Sequence, residues 1–164
     1  MRIREIGILQ SRTEIELPLV STRIPCGTGF PSPADDYIEE RLDLNKYLIE
    51  HPEATYYVRV EGDSMIGAGI FHEDLLIVDK AYNDRSDGRV IIAWLNGDFT
   101  VKRFYTDQSL KRSFLIAENP KYPPLEILPE MDFLIWGVVT WNFHKQSSAL
   151  PEEIKDLIIN LGRK

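Results

Sequence analysis

Six stretches of this chain alternate apolar and polar side chains with a period of two, the pattern of a β-strand. They are rich in Val, Ile, Phe, Tyr and Trp, and they are Tyr56–Val60, Leu75–Val78, Val90–Leu95, Phe99–Tyr105, Phe114–Ala117 and Phe133–Trp141. Asn96-Gly97 separates two of them and is typical of a two-residue type I′ hairpin turn. The sequence therefore predicts a mostly β body with antiparallel strand pairing and a small helical part.

The residues before this body resemble an arm rather than a domain. Ile15, Leu17 and Leu19 alternate with polar residues or proline, which indicates a short extended piece. The run P-C-G-T-G-F-P-S-P over residues 25–33 is dense in glycine and proline, as in a flexible or extended linker. We expect a cleavable arm over residues 1–26 and a folded domain over 27–146.

Two helical segments are predicted around the strands. Ser32 followed by Pro33 and Asp35 has the composition of a helix start, so we expect residues 34–50 to be helical in part, with an end at His51-Pro52. Residues 151–161 place apolar side chains at i, i+3, i+4 and i+7 and are followed by a glycine. This pattern predicts an amphipathic C-terminal helix within an extension over residues 147–164.

Composition narrows the class of protein. The 164 residues suffice for one domain, and a net charge of −7 without a basic stripe argues against direct binding to duplex DNA. Cys26 is the single cysteine, so no internal disulfide and no oxidising compartment are expected. We see no secretory signal and no apolar run of membrane-spanning length, so the expected location is the cytoplasm, without a membrane partner.

Ser64 is the first candidate for chemistry. It lies in G-D-S-M, just after a predicted strand and on a glycine-flanked turn. Such a turn can direct a serine hydroxyl and neighbouring backbone N–H groups at one point, as a nucleophile and an oxyanion hole require. Taken alone, the same residues fit an ordinary surface loop with a capping serine.

Lys102 is the second candidate. In D-F-T-V-K-R-F it shares one face of a predicted strand with Thr100 and Phe104. A lysine among apolar neighbours loses hydration, which lowers its pKa and makes it a possible general base. Taken alone, it also fits an ordinary strand lysine whose charged end reaches water.

The remaining reactive side chains carry weaker signals. His51, His72 and His144 are scattered without ligand spacing, so no zinc site and no cofactor are expected. Cys26 lies in the linker with no basic neighbour in sequence to activate its thiol, and we interpret it as a linker residue.

Several ordered motifs together resemble one family, the UmuD group of LexA-like self-cleaving peptidases. They are F-P-S-P-A-D-D-Y-I-E-E-R-L-D-L-N-K-Y-L, V-R-V-E-G-D-S-M-I, G-I-F-H-E-D-L-L-I-V-D, G-D-F-T-V-K-R and F-L-I-W-G-V-V. The resemblance covers roughly residues 26–139. It implies a LexA-like peptidase fold of antiparallel strands with short helices, preceded by an extended N-terminal arm.

The resemblance also implies roles for particular residues. Ser64 corresponds to the nucleophile and Lys102 to the general base, and their separation of 38 residues fits the family. The family cuts its arm at a Cys-Gly bond, which here is Cys26-Gly27. This sequence carries two extra residues between that pair and F-P-S-P, so Thr28-Gly29 is the alternative cleavage site.

The family further implies partners. Its members form homodimers, a RecA–single-stranded DNA filament promotes their cleavage during the SOS response, and the cut form joins a UmuC-like Y-family polymerase that copies damaged templates. A signal peptidase would need a membrane anchor, and a repressor would need about sixty residues of helix-turn-helix before the linker. A catalytically inactive dimerisation and polymerase-binding module is the alternative of a different class.

Overall fold

The strands of this protein come from short alternating segments joined by tight turns. The computed structural model describes residues 1–8, 14–20, 38–82, 88–146, 149, 152, 154, 155 and 158. Its strands are β1 (Arg2–Ile8), β2 (Glu16–Val20), β3 (Ile38–Asp43), β4 (Thr55–Glu61), β5 (Leu75–Asp79), β6 (Val90–Leu95), β7 (Asp98–Asp107), β8 (Arg112–Ile116), β9 (Leu125–Glu126) and β10 (Phe133–Phe143). Helix α1 (Leu44–Leu48) and two 3-10 turns, Pro52–Ala54 and Ile66–Ala68, complete the described elements.

Within the described residues, eight of the strands form one antiparallel sheet. Its order is β1-β4-β5-β10-β6-β7-β8-β9, and β1 also pairs with β7. The sheet therefore curls until β1 lies between β4 and β7, which are far apart in that order. β2 and β3 form a separate two-stranded pair.

Among the described residues, two apolar clusters fill the interior. The first contains Val58, Val60, Met65, Ile70, Leu76, Val78, Ile92 and Val101. The second contains Ile91, Ala93, Phe104, Leu115 and Val138. Because successive side chains of a strand point to opposite faces, β6 supplies one residue to the first cluster and two to the second, and both of its faces are buried.

The prediction of a mostly β fold is confirmed, and each of the six predicted strands is present to within about two residues at each end. The predicted hairpin is confirmed as well. Leu95 pairs with Asp98, and Asn96 and Gly97 have φ angles of 48° and 99°. Two consecutive left-handed residues are what a type I′ turn requires.

The prediction that residues 34–50 are helical in part is confirmed by α1. Among the described residues of this stretch, Leu44–Leu48 is α-helical, with the Asp43 carboxylate accepting the N–H groups of Asn45 and Lys46, whereas Ile38–Asp43 is strand β3. Pairing with β2 across the two-stranded sheet explains why the extended form prevails over the acidic, helix-like composition. The predicted start at Ser32 lies outside the described residues.

The two ends of the chain were predicted only in outline. Strand β1 was not predicted, whereas the extended piece around Leu17 is confirmed as β2. In the tail, residues 152, 154, 155 and 158 are helical, and the predicted stop at Gly162 lies outside the described residues. None of the helices among the described residues is long and apolar enough to span a membrane. The division into arm, domain and C-terminal extension stays a prediction.

Candidate active site

Ser64 lies on a tight turn that is fixed at both ends. Strand β4 ends at Glu61, and Gly62 follows with a φ of 98°, a conformation that strains a residue with a side chain. Met65 is fully buried in the first apolar cluster and anchors the far side of the turn. Ser64 lies between these two residues and is only 2% exposed.

The loop between β8 and β9 holds this turn in place. The buried Asn119 side chain donates to the Asp63 backbone carbonyl at 2.9 Å. The Asp63 carboxylate accepts hydrogen bonds from the Tyr122 hydroxyl at 2.5 Å and from Lys121 Nζ at 3.2 Å. Together these two bonds lower the pKa of Asp63 below its ordinary value, and the bond from Tyr122 has the larger effect.

A second contact joins the same loop to the 3-10 turn after Ser64. The Gly67 N–H donates to the Glu118 carbonyl at 2.8 Å, and a Cβ at Gly67 would lie only 2.6 Å from that oxygen. Only glycine allows this close approach without a shift of the backbone. The Glu118 carboxylate forms an ion pair with Arg103 of β7, which links the loop to the strand that carries Lys102.

Lys102 extends from β7 toward the same turn. Its Nζ lies 3.1 Å from Ser64 Oγ, 3.2 Å from Thr100 Oγ1 and 3.1 Å from the Val101 carbonyl oxygen. An ammonium group has three donors, and these three neutral acceptors match that number. No carboxylate is among these partners to favour the charged form.

Burial has the largest effect on the pKa of this lysine. The cost of burying the charged form lowers the pKa of Lys102 below its ordinary value of 10.5, and a hydrogen bond to the amino terminus offsets part of that effect. A lysine with a lowered pKa is deprotonated at a lower pH than a solvated one, and only the neutral amine can accept a proton.

The structure thus brings together two of the residues singled out from the sequence. Ser64 and Lys102 are 38 positions apart and meet where β1 closes the sheet, because β1 pairs with the end of β4 on one side and with β7 on the other. The predicted cleavage residues lie outside the described residues; they are Cys26, Gly27, Thr28 and Gly29.

The sequence analysis did not predict that the amino terminus contacts the candidate active site. The Met1 nitrogen lies 2.7 Å from Ser64 Oγ, and the Met1 carbonyl accepts from the Thr100 hydroxyl at 3.3 Å. Burial, and then the charge of Lys102, lower the pKa of this amine from 8.0 to about 5. No local sequence signal marks this contact, because it depends on the pairing of β1 with β4 and β7.

The three histidines lie in separate surroundings. His51 and His144 each contact a buried aspartate, at 2.7 and 2.6 Å. His72 accepts the N–H of Gly62 at 3.2 Å and so contacts the beginning of the serine turn. Among residues 1–8, 14–20, 38–82 and 88–146, no three His, Cys, Asp or Glu side chains come together as metal ligands would.

One cavity beside helix α1 includes neither Ser64 nor Lys102 in its lining. Its volume is about 730 Å³, and its lining includes Tyr47 of α1, Asp79 of β5 and Trp141 of β10. A smaller groove of about 360 Å³ is lined by Met1, Gly62, Tyr122 and their neighbours and lies directly beside the serine turn. The contact between Ser64 and Lys102, rather than cavity size, locates the candidate active site.

Known proteins resemble this chain over most of its length. The Peptidase S24-like family model matches residues 18–140, most of the chain, and the chain belongs to this family. Protein SamA of Salmonella typhimurium is 46% identical over 140 residues, 85% of this chain and 94% of that protein. Protein ImpA of Escherichia coli is 41% identical over 134 residues, 78% of this chain and 83% of that protein.

LexA repressor 1 of Pseudomonas putida is 36% identical over 137 residues, which are 83% of this chain and 64% of the repressor. These matches confirm the resemblance drawn from the sequence motifs. With the observed architecture, they also confirm the expected mostly β, LexA-like fold.

The hydrogen bond from Tyr122 to Asp63 can be tested by titration. Tyr122→Phe removes the hydroxyl that stabilises the charged carboxylate, so we expect the pKa of Asp63 to rise toward its ordinary value of 3.8. The measurement is an acid titration of the Asp63 carboxyl carbon by NMR. Tyr105→Phe, at an exposed tyrosine of β7, is the matched control and should leave the titration unchanged. The same Asp63 midpoint in wild type and Tyr122→Phe would contradict the contact.

Proposed function

We propose that this chain is a self-cleaving serine peptidase in which Ser64 is the nucleophile and Lys102 the general base. The observation that carries the proposal is the 3.1 Å contact between Ser64 Oγ and a half-buried lysine whose pKa is lowered. Membership of the Peptidase S24-like family supports peptide-bond hydrolysis as the reaction.

The chemistry follows from the order of proton transfers. Neutral Lys102 takes the Ser64 proton while Oγ attacks the carbonyl carbon of residue 26, and backbone N–H groups around the serine stabilise the oxyanion. The lysine then gives its proton to the departing amine of Gly27, which leaves an ester between Ser64 and residue 26. Water hydrolyses this ester, with the lysine again as base.

The substrate is a segment of the protein itself, so little binding affinity is needed. A tethered or dimer-held arm reaches the serine at a high effective concentration, and the rate depends on how often it enters the site in an extended form. By resemblance, a RecA–single-stranded DNA filament promotes that entry as a coprotease during the SOS response.

The base is tested by substitution together with pH. We expect Ser64→Ala, Lys102→Ala and Lys102→Arg to abolish self-cleavage, the arginine because it stays protonated. In the wild type the base works only when deprotonated, so the first-order rate should rise with pH and level off above a pKa that is below 10.5. Lys111→Ala, at an exposed turn lysine, is the matched control and should cut at the wild-type rate.

Mass spectrometry of the products identifies the bond in the same experiment. A C-terminal fragment that begins at Gly27 is expected, with a start at Gly29 as the alternative. A flat rate from pH 6 to 10 in a folded protein, or normal cutting by Lys102→Ala, would contradict the lysine base.

The function of the cut form belongs to the same proposal. In the arm, Ile15, Leu17 and Leu19 are exposed at β2 and the residue before it, where they are available to cover a surface of the body or of a dimer mate. The acidic net charge of −7 suits a protein partner better than DNA. By resemblance, that partner is a UmuC-like Y-family polymerase, with the protein present as a homodimer.

This partner proposal predicts a difference between two forms of the protein. Residues 27–164 should bind such a polymerase more tightly than the uncleavable Ser64→Ala chain, and should support more bypass of an abasic site, because the arm no longer covers the binding face. The comparison uses pull-down and primer extension at equal dimer concentration. Equal binding and equal bypass by the two forms would contradict this prediction, because cleavage would then remove the arm without activating the protein.

A further inference from the structure

Strand β1 closes the sheet at the candidate active site. Its residue Arg2 pairs with Glu61 of β4 on one side and with Thr100 of β7 on the other. Strand β4 leads directly to Ser64, and β7 carries Lys102. The first residues of the chain therefore lie in the gap between the two strands that supply the reacting side chains.

The amino end of β1 occupies the position that the reaction requires of a departing amine. In the proposed mechanism, that nitrogen must lie within hydrogen-bond reach of the serine oxygen and near the lysine that protonates it. The Met1 nitrogen lies 2.7 Å from Ser64 Oγ and in contact with Lys102. The Met1 carbonyl is held by the Val101 N–H at 3.4 Å and the Thr100 hydroxyl at 3.3 Å.

Apolar packing holds this segment in place and covers the nucleophile. Met1 and Ile3 pack against the first apolar cluster, while Arg4 forms a 2.7 Å ion pair with Glu73 on the outside. With β1 in this position, Ser64 is 2% exposed. The edge of β4 is already paired from residue 56 to residue 61, so no other peptide can add to it there.

We propose that the edge of β4 beside Ser64 is a binding site for the amino end of an extended peptide, that residues 1–8 occupy it in the intact chain, and that they must leave before another segment is cut. This inference rests on the proposed function, since the competing segment is the one that follows the scissile bond. That segment and residues 1–8 compete for one strand edge and one nitrogen position.

The chemistry of the site defines its ligand class. Burial, and then the positive charge of Lys102, disfavour an α-ammonium group here, which is why the amine of Met1 has a pKa of about 5 and is uncharged at neutral pH. The site thus takes an extended peptide that begins with an uncharged amine and places apolar side chains at its first and third residues. The amino end released by cleavage has the same α-amine.

A reversible lock on β1 tests the proposal in the full chain. Glu5 and Arg59 are directly paired across β1 and β4, with Glu5 Oε2 3.9 Å from Arg59 Nε. Antiparallel partners lie within the Cα distance that a disulfide spans. Glu5→Cys combined with Arg59→Cys should form a disulfide on oxidation, slow self-cleavage at least tenfold, and regain the rate on reduction.

The two single-cysteine variants are the controls, since each contains Cys26 and one added thiol but cannot lock β1. They should cut at the same rate oxidised and reduced. Two results would overturn the inference: a disulfide-locked chain that cuts as fast as its reduced form, or a pair that cannot be oxidised. If the wild type fails to cut at every pH, the proposed function fails instead.

A second pair of variants gives a readout that does not depend on cleavage. Ile3→Ser weakens the packing of β1 on the core, whereas Ile6→Ser changes an exposed isoleucine of the same strand. With Ile3→Ser the Met1 amine, followed by ¹⁵N NMR, should titrate closer to 8.0 than to about 5, and cleavage should be severalfold faster. Ile6→Ser should leave both unchanged. An unchanged amine titration and rate with Ile3→Ser would count against the occupied site.

Discussion

The site depends on removing one lysine from water. A solvated lysine is charged at neutral pH and cannot take a proton from serine. Here the side chain of Lys102 leaves β7 at the point where the sheet closes, and its nitrogen donates to three neutral oxygens, those of the Ser64 and Thr100 hydroxyls and the Val101 carbonyl. Burial disfavours the charged form of Lys102, and in the proposed reaction the neutral amine takes the proton of the neighbouring serine.

This arrangement requires rigidity on the serine side as well. The turn after β4 has little regular structure of its own, so its geometry comes from the loop that follows β8. Asn119 and Tyr122 bind Asp63, and Glu118 binds both Gly67 and Arg103. Because Arg103 is next to Lys102 on β7, the same loop orients both halves of the pair.

The sequence was most informative where local pattern and tertiary environment agree. The six alternating strands and the Asn96-Gly97 turn were predictable because half-buried antiparallel strands impose a period of two. Ile38–Asp43 was assigned in part to a helix because its acidic residues follow a proline, and only pairing with β2 makes it a strand. Strand β1 contains two arginines and a glutamate, and its partners are at least 48 residues away, as in the pair of Ile8 with Tyr56.

The residues of the candidate site were predictable in part from the sequence, whereas their geometry was not. Ser64 and Lys102 each fit an ordinary role, and only their joint presence in family-like motifs singled them out. Their 3.1 Å contact is a property of the closed sheet. Asn119 and Tyr122 lie in E-N-P-K-Y-P-P, where an asparagine before proline marks a turn but does not reveal which backbone carbonyl it binds.

The central claim is that Lys102 loses its proton at a lower pH than an ordinary lysine, and that this loss controls cutting. The most direct measurement is an NMR titration of the Lys102 side chain in the uncleavable Ser64→Ala protein, with Lys102→Arg used to assign the signal. We expect a Lys102 pKa below 10.5 that coincides with the midpoint of the rise in the wild-type cleavage rate. A Lys102 pKa at or above 10.5, or a midpoint that follows a different group, would contradict it.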